Sequence, residues 1–311
     1  MRLSRLGYTF GLFKEYIANY AKVKLTYRAD FWVEVVSDLL FSLTNLVFIF
    51  IVFQHTPTLG DWSESEVVFV YGYFMIAQGV FSAFTNLWNF GDRYIIKGEM
   101  DRVLTRPAHS LAQVMLENVD PPSLVSSLVG LAIMGTAWGK LGLAFDWYDP
   151  FVLIVMVLGS VLIYTGLYVT LAAISFYSDA PTGIIPLMYN IQSYGRYPVQ
   201  IYNRGIRFLL TWVLPFAFVG VYPAMFFLEA HRSVFMAWMT PVVGLIAAGI
   251  GLAVWNRGVK RYRGGGQLGR KYRCRTQVQR SGVLPAPIEE ESSAKARRHT
   301  PPWAFSGRKL R

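Results

Sequence analysis

The chain has 311 residues, of which 53% are hydrophobic and only 16% charged, and its mean hydropathy is +0.34. Soluble domains carry about 25% charged residues, so this chain is too poor in charge to cover a water-facing surface. The composition excludes an ordinary soluble enzyme and points to an all-α, polytopic membrane protein. The net charge of +11 sits mainly at one end: residues 264–311 hold eleven Lys/Arg against Glu289, Glu290 and Glu291, a net +8, which leaves +3 for the body. No nucleic-acid partner is expected of a body so weakly basic.

Residues 1–30 come first. Leu6, Phe10, Phe13, Ile17 and Tyr20 recur at steps of four and three, with Arg5, Lys14, Glu15, Asn19 and Lys22 between them. That is the stripe of an amphipathic helix, expected to lie in the headgroup plane or, alternatively, on a partner. No uninterrupted apolar run precedes Lys14, so a cleavable signal peptide is not expected and the first span acts as the insertion signal.

Six segments between residues 31 and 263 are long and apolar enough to cross a bilayer, which takes roughly 20 residues at about 1.5 Å each. They run over 31–53, 67–85, 121–139, 151–177, 208–228 and 233–256. Lys and Arg in the connections split unevenly: six in 1–30, four between spans two and three, three between spans four and five and four in 257–263, against Lys140 and Arg232 alone on the other side. Positive loops stay in the cytoplasm, so both termini are expected inside. Trp62, Trp138, Trp147, Trp212 and Trp255 fall near span ends, where an indole suits the interface.

The two long inner connections, 86–120 and 178–207, are the expected docking surface for a soluble partner. The run from Gly183 to Tyr189 reads as either re-entrant or interfacial.

Asp30, Glu34 and Asp38 recur every fourth residue on one face of span one, over roughly 12 Å. Charges at that depth face a bundle interior or water, so they mark either a translocation path or ion pairing with Arg28 or a neighbouring helix. Asn45 in span one and Gln78 in span two are expected to pair helices or to line the same path. Gly244 and Ala248 in span six have the small-xxx-small spacing of close helix contacts, and Gly130, Gly135 and Gly139 offer similar positions in span three. Pro215, Pro223 and Pro241 are expected to kink or unwind their helices.

Catalytic signatures are missing from the sequence. There is no Gly-x-x-x-x-Gly-Lys-Ser/Thr phosphate loop, no Gly-x-Ser-x-Gly and no His-Glu-x-x-His. The single cysteine, Cys274, excludes an internal disulfide and a multi-thiolate zinc cage. His55, His109, His231 and His299 are scattered. No catalytic or metal-binding residue is assigned, and any energy source must come from another chain.

The stretch Gly98-Glu-Met-Asp101-Arg102-Val-Leu104-Thr-Arg106-Pro107, after span two, resembles the Gly-x-hydrophobic-Asp-x-x-Leu-x-Arg-Pro segment of ABC-2 type transporter permeases. Tyr197-Pro198-Val-Gln-Ile-Tyr202, Pro215-Phe-Ala-Phe and Tyr222-Pro223-Ala are similar as well, and together they cover residues 1–263. The resemblance implies a six-span permease in a bacterial plasma (inner) membrane. It further implies dimerisation with a second copy or a sister permease, a separate cytoplasmic ABC ATPase that holds ATP and magnesium, and export by alternating access. Gly98, Asp101, Arg102, Arg106 and Pro107 would then be the ATPase-coupling residues. Arg102 and Arg106, four residues apart on one helical face, would meet the partner from water. Two other functions are compatible with the span-one carboxylates: an enzyme acting on membrane lipid, and a proton- or ion-coupled carrier. Residues 264–311, opened by Gly264-Gly-Gly, lie beyond the resemblance, and their polar, Arg-rich composition favours disorder.

Overall fold

A computed structural model describes residues 28–177, 184–228 and 231–262. The amphipathic segment within residues 1–30 and the basic tail lie outside these, apart from residues 28–30. The described residues are helical without a strand. Five helices are long and apolar enough to cross a membrane: α1 (Arg28–His55), α2 (Glu64–Phe84), α5 (Pro122–Leu141), α6 (Asp149–Ile174) and α10 (Val234–Arg261). Two short helices, α3 (Glu99–Thr105) and α4 (Ser110–Glu117), join α2 to α5. Between α6 and α10 lie α7 (Ile184–Gln192), α8 (Arg204–Phe208) and α9 (Val221–Ala224).

Local chemistry sets the ends of these helices. At the start of α2 the Ser63 backbone N–H donates to the Glu66 carboxylate at 2.7 Å, and the Ser63 hydroxyl donates to the same oxygen at 2.8 Å, which anchors the first turn. Gly142, at φ +62°, ends α5 in the left-handed conformation that glycine takes without strain. Pro241 lies inside α10 without ending it.

Backbones meet closely along two seams, α2 with α5 and α6 with α10. A Cβ on Gly72 would fall 2.7 Å from the Met134 nitrogen, and one on Gly251 would fall 2.7 Å from the Gly166 carbonyl oxygen. Gly159 leaves room for Pro241 in the same way, at 2.9 Å. The seam glycines are seven residues apart on each helix, 72 and 79, 159 and 166, 244 and 251, so two turns separate successive contacts. Gly244 and Ala248 therefore serve packing within the chain. Gly130 does so too, opposite Gly72, whereas Gly135 and Gly139 meet nothing within 4 Å. Helix α1 is held far more loosely. Among its apolar side chains only Val35 and Ile49 are buried, and the Tyr71 hydroxyl donates to the Ser42 carbonyl at 2.8 Å.

The fifth crossing differs from the expected one. Tyr189 of α7 packs on Trp88 and Tyr168 at ring separations of 4.9 and 4.6 Å, and the Tyr168 hydroxyl donates to Gln192 at 2.8 Å. These neighbours lie where α2 and α6 end. Twelve residues later Ile201 sits beside Gly60, in the loop where α2 begins. Residues 184–202 thus traverse the bundle through α7 and two 3-10 turns, Ser193–Arg196 and Val199–Ile201. The segment 208–228, expected as a straight span, belongs instead to a hairpin. Arg204–Val213 and Phe216–Ala224 meet at 71°, and Phe227 returns to Phe69 and Trp138 near the face from which α8 started. Pro215 removes a backbone donor at the bend, and the Ser160 hydroxyl donates to the Phe218 carbonyl at 3.4 Å. Arg204 and Arg207 consequently belong to the same face as Lys140 and Arg232, while Arg196 lies within the crossing.

The tryptophans divide. Trp147 and Trp212 are exposed, as interfacial anchors would be, but Trp62 and Trp255 are fully buried. Trp62 stacks on His231 with ring centres 4.0 Å apart.

Candidate functional site

Two features stand out: the helical connection between α2 and α5, and a cavity beside α1. The connection begins with a π-helical turn, Gly91–Ile96. Gly98 follows at φ +76°, a conformation that penalises any side chain, and it redirects the chain into α3. Arg106 is extended, at φ −88° and ψ 141°, as the residue before a proline prefers. Pro107 then separates α3 from α4.

Glu117, at the end of α4, organises this region although nothing in the sequence marks it. Its side chain is only 5% exposed. It accepts from the Tyr94 hydroxyl at 3.0 Å, from Arg102 at 2.9 Å and from Arg106 at 3.4 Å. Arg93 pairs with Glu99 at 2.8 Å and donates to Asn118 at 3.0 Å. Burial opposes the Arg93 charge, but the Glu99 hydrogen bond and nearby acidic groups outweigh it and raise its pKa. The Tyr94 phenol is pushed up by burial and then by Glu117. Gln113, buried in α4, donates to the carbonyls of Val103 and Ala108 at 3.1 and 3.0 Å, closing the α3–α4 turn.

Arg102 and Arg106 both reach Glu117, although Arg106 is extended and lies past the last turn of α3, so it is not helical spacing that brings them together. Both side chains are thus turned toward Glu117 rather than wholly to water. Met100 and Val103 are buried beneath α3. Asp101, Leu104 and Thr105 form its outer side, with Leu104 41% exposed. The connection is also fastened to the bundle. The Trp255 indole of α10 donates to the Ser110 hydroxyl at 3.1 Å, and Phe90 and Phe176 both lie 5.3 Å from the Trp255 ring.

The cavity measures about 270 Å³ and its wall includes Asp38, Ser42, Asn45, Gln78, Asp120 and Arg196. Three of the five polar residues singled out from sequence in spans one and two therefore converge. Glu34 is exposed one turn away from the cavity, close enough for its charge to act on Asp38, and Asp30 is exposed further toward the helix start. The Asn45 amide donates to Phe41 of its own helix at 2.7 Å, so that bond pairs no helices. Arg196 and Asp120 are additions that sequence alone did not supply. Among the described residues no three His, Cys, Asp or Glu side chains are grouped as metal ligands.

A family model described as "ABC-2 family transporter protein" matches residues 39–266. No curated protein and no solved structure matches the chain. The matched region holds the α2–α5 connection, the cavity apart from Asp38, and the membrane-spanning helices apart from the first eleven residues of α1. With five helices long and apolar enough to cross a bilayer, a sixth, broken crossing and a match over most of its length, the chain is a multi-pass membrane protein that belongs to the ABC-2 transporter family, of permease type.

Proposed function

We propose that the chain is the membrane subunit of a bacterial inner-membrane ABC exporter. It dimerises with a second copy or a sister permease and is driven by separate cytoplasmic ATPases that bind ATP and magnesium. The observation that carries this reading is the mechanical continuity of α3. Its outer face offers Asp101, Leu104 and Thr105 to a partner, its inner face is held by Glu117, and the following helix is tied to α10 through Ser110 and Trp255. A force applied to α3 is thereby delivered to a spanning helix instead of being absorbed in a loose loop. A two-state bundle biased in this way is what alternating access requires. The weighting of Lys and Arg still favours the α3 side as cytoplasmic after Arg204 and Arg207 are moved to the opposite face.

The test is co-purification of the ATPase with the full chain, with hydrolysis measured in nanodiscs. Reversing the outer face with Asp101→Lys and Leu104→Glu should remove the ATPase while leaving expression and insertion near normal. Retention of the ATPase at the unsubstituted level by this variant would show that α3 is not the docking element.

A further inference from the structure

The polar cavity has an apolar neighbour on the same wall. A second cavity, also about 270 Å³, is lined by Phe48, Ile49, Val52, Tyr197, Ile201 and Tyr202 among others. On α1 the polar cavity takes positions 38, 41, 42 and 45, and the apolar one takes 48, 49, 52 and 53. Steps of three and four keep these positions on one helical face. The fifth crossing lines part of both, contributing Tyr189 and Arg196 to the first and Tyr194, Tyr197, Ile201 and Tyr202 to the second, while α2 and the start of α5 supply most of the remaining wall of the polar cavity. The two cavities therefore follow one another along α1 and residues 184–202, polar toward Asp38 and apolar toward Phe53, and we treat them as the two halves of one groove. Each is close to the lower end of the roughly 300–1,000 Å³ of a typical ligand pocket.

Charge in the polar half is mixed. Asp38 and Asp120 supply carboxylates. Arg196 is only 7% exposed, its guanidinium carbon lies 5.6 Å from the Phe74 ring centre, and its Nε donates to the Ser193 carbonyl at 2.8 Å. Among the described residues its terminal nitrogens donate to no protein acceptor. A guanidinium at membrane depth with donors directed into a cavity is costly unless an anionic or strongly accepting group meets it. Its planar donor pattern matches a phosphate or carboxylate. The carboxylates of Asp38 and Asp120 suit an amine.

We infer that this groove binds an amphiphile with a zwitterionic headgroup. Its amine lies by Asp38 and Asp120, its acidic group by Arg196, and its tail against Phe48, Ile49, Val52 and Ile201. The inference rests on the permease reading only for the consequence that such a molecule is the transported class; binding itself does not depend on it.

The test is displacement of radiolabelled 14-carbon lysophosphatidylethanolamine from the purified full chain in maltoside micelles. Competitors carry the same tail on an anionic head (lysophosphatidylglycerol), a cationic one (tetradecylamine) or a neutral one (monoacylglycerol), and a fourth is tailless phosphoethanolamine. The zwitterionic amphiphile should compete at least tenfold better than each of the others. Asp38→Asn should reduce it to the level of the anionic competitor, Arg196→Gln to that of the cationic one, and Val52→Trp should weaken all tailed competitors together. Equal competition by all four tailed molecules would overturn the inference, as would equal competition by tailless phosphoethanolamine or an unaltered headgroup preference in Asp38→Asn. Should Arg196→Gln fail to fold, the exposed Asp38 decides the question alone. ATPase co-purification scored on the same preparations separates the two readings: loss of headgroup preference with the ATPase still bound defeats only this inference, and preference without any ATPase association defeats only the exporter.

Discussion

Trp255, two turns from the end of α10, donates its indole N–H to the hydroxyl of Ser110, the first residue of α4, across 145 positions of sequence. The bond joins the last spanning helix to the connection that follows the second, at a point where Phe90 and Phe176 close around the ring. Trp255→Phe should keep most of the packing and lose the hydrogen bond, while Trp255→Ala loses both. The expected outcome is graded uncoupling: ATPase still co-purifies with both variants, but substrate-stimulated hydrolysis falls modestly in the first and by at least tenfold in the second. Equal stimulation in all three proteins would remove α10 from the transmission path.

Glu117 predicts a stability effect. Replacing its buried carboxylate with the Glu117→Gln amide weakens the pairs with Arg102 and Arg106, and Glu117→Ala removes every acceptor. The buried Tyr94 hydroxyl then loses its acceptor, at about 1–3 kcal/mol, whereas the partly exposed Arg102 and Arg106 can turn to water. Thermal unfolding in detergent should therefore start earlier for both variants, the alanine more so. Double replacement of Arg102 and Arg106 by Gln should add little to Glu117→Ala, because the groups act as one unit.

The rerouted fifth crossing gives a topological prediction. With Cys274 replaced, Gly60→Cys and Arg204→Cys should react with an impermeant thiol reagent from the same side, and Arg93→Cys and Lys260→Cys only after permeabilisation. Reaction of Arg204→Cys together with Arg93→Cys would restore 208–228 as the crossing.

Packing along the glycine seams is equally testable. Gly72→Leu and Gly166→Leu force side chains into backbone already in contact and should abolish recovery of monodisperse protein, since overpacking costs about 1–3 kcal/mol or more. Gly135→Leu, where nothing lies within 4 Å, should behave like the parent chain.

Helices α1, α2, α5, α6 and α10 were legible in the sequence because each exceeds the length needed to cross a bilayer and carries few charges. Residues 184–202 were not. Pro186, Asn190, Gln192, Gly195, Arg196 and Pro198 break the apolar run, and the bonds of Gln192 to Tyr168 and of Asn190 to Pro186 are not visible to hydropathy. The reverse error arose at 208–228, where apolarity is high but the chain turns back at Pro215. In the site, the residues from Gly98 to Pro107 carried a readable motif, and the convergence of Asp38, Asn45 and Gln78 follows from helix faces. Glu117 lies fifteen positions from Arg102, and its partnership depends on how α4 folds back on α3, which no short spacing encodes.

The glycine seams also decide which part of the molecule can yield. Helices α2 with α5, and α6 with α10, are fused pairs whose separation would open backbone contacts along several turns. Helix α1 has no such seam: tilting it away uncovers Val35, Ile49 and the partly buried Leu46, Phe50 and Phe53, and breaks the Tyr71–Ser42 bond. The wall bearing Asp38 and Ile49 is thus the part of the bundle that moves at least cost, while the seams between α2 and α5 and between α6 and α10 stay closed.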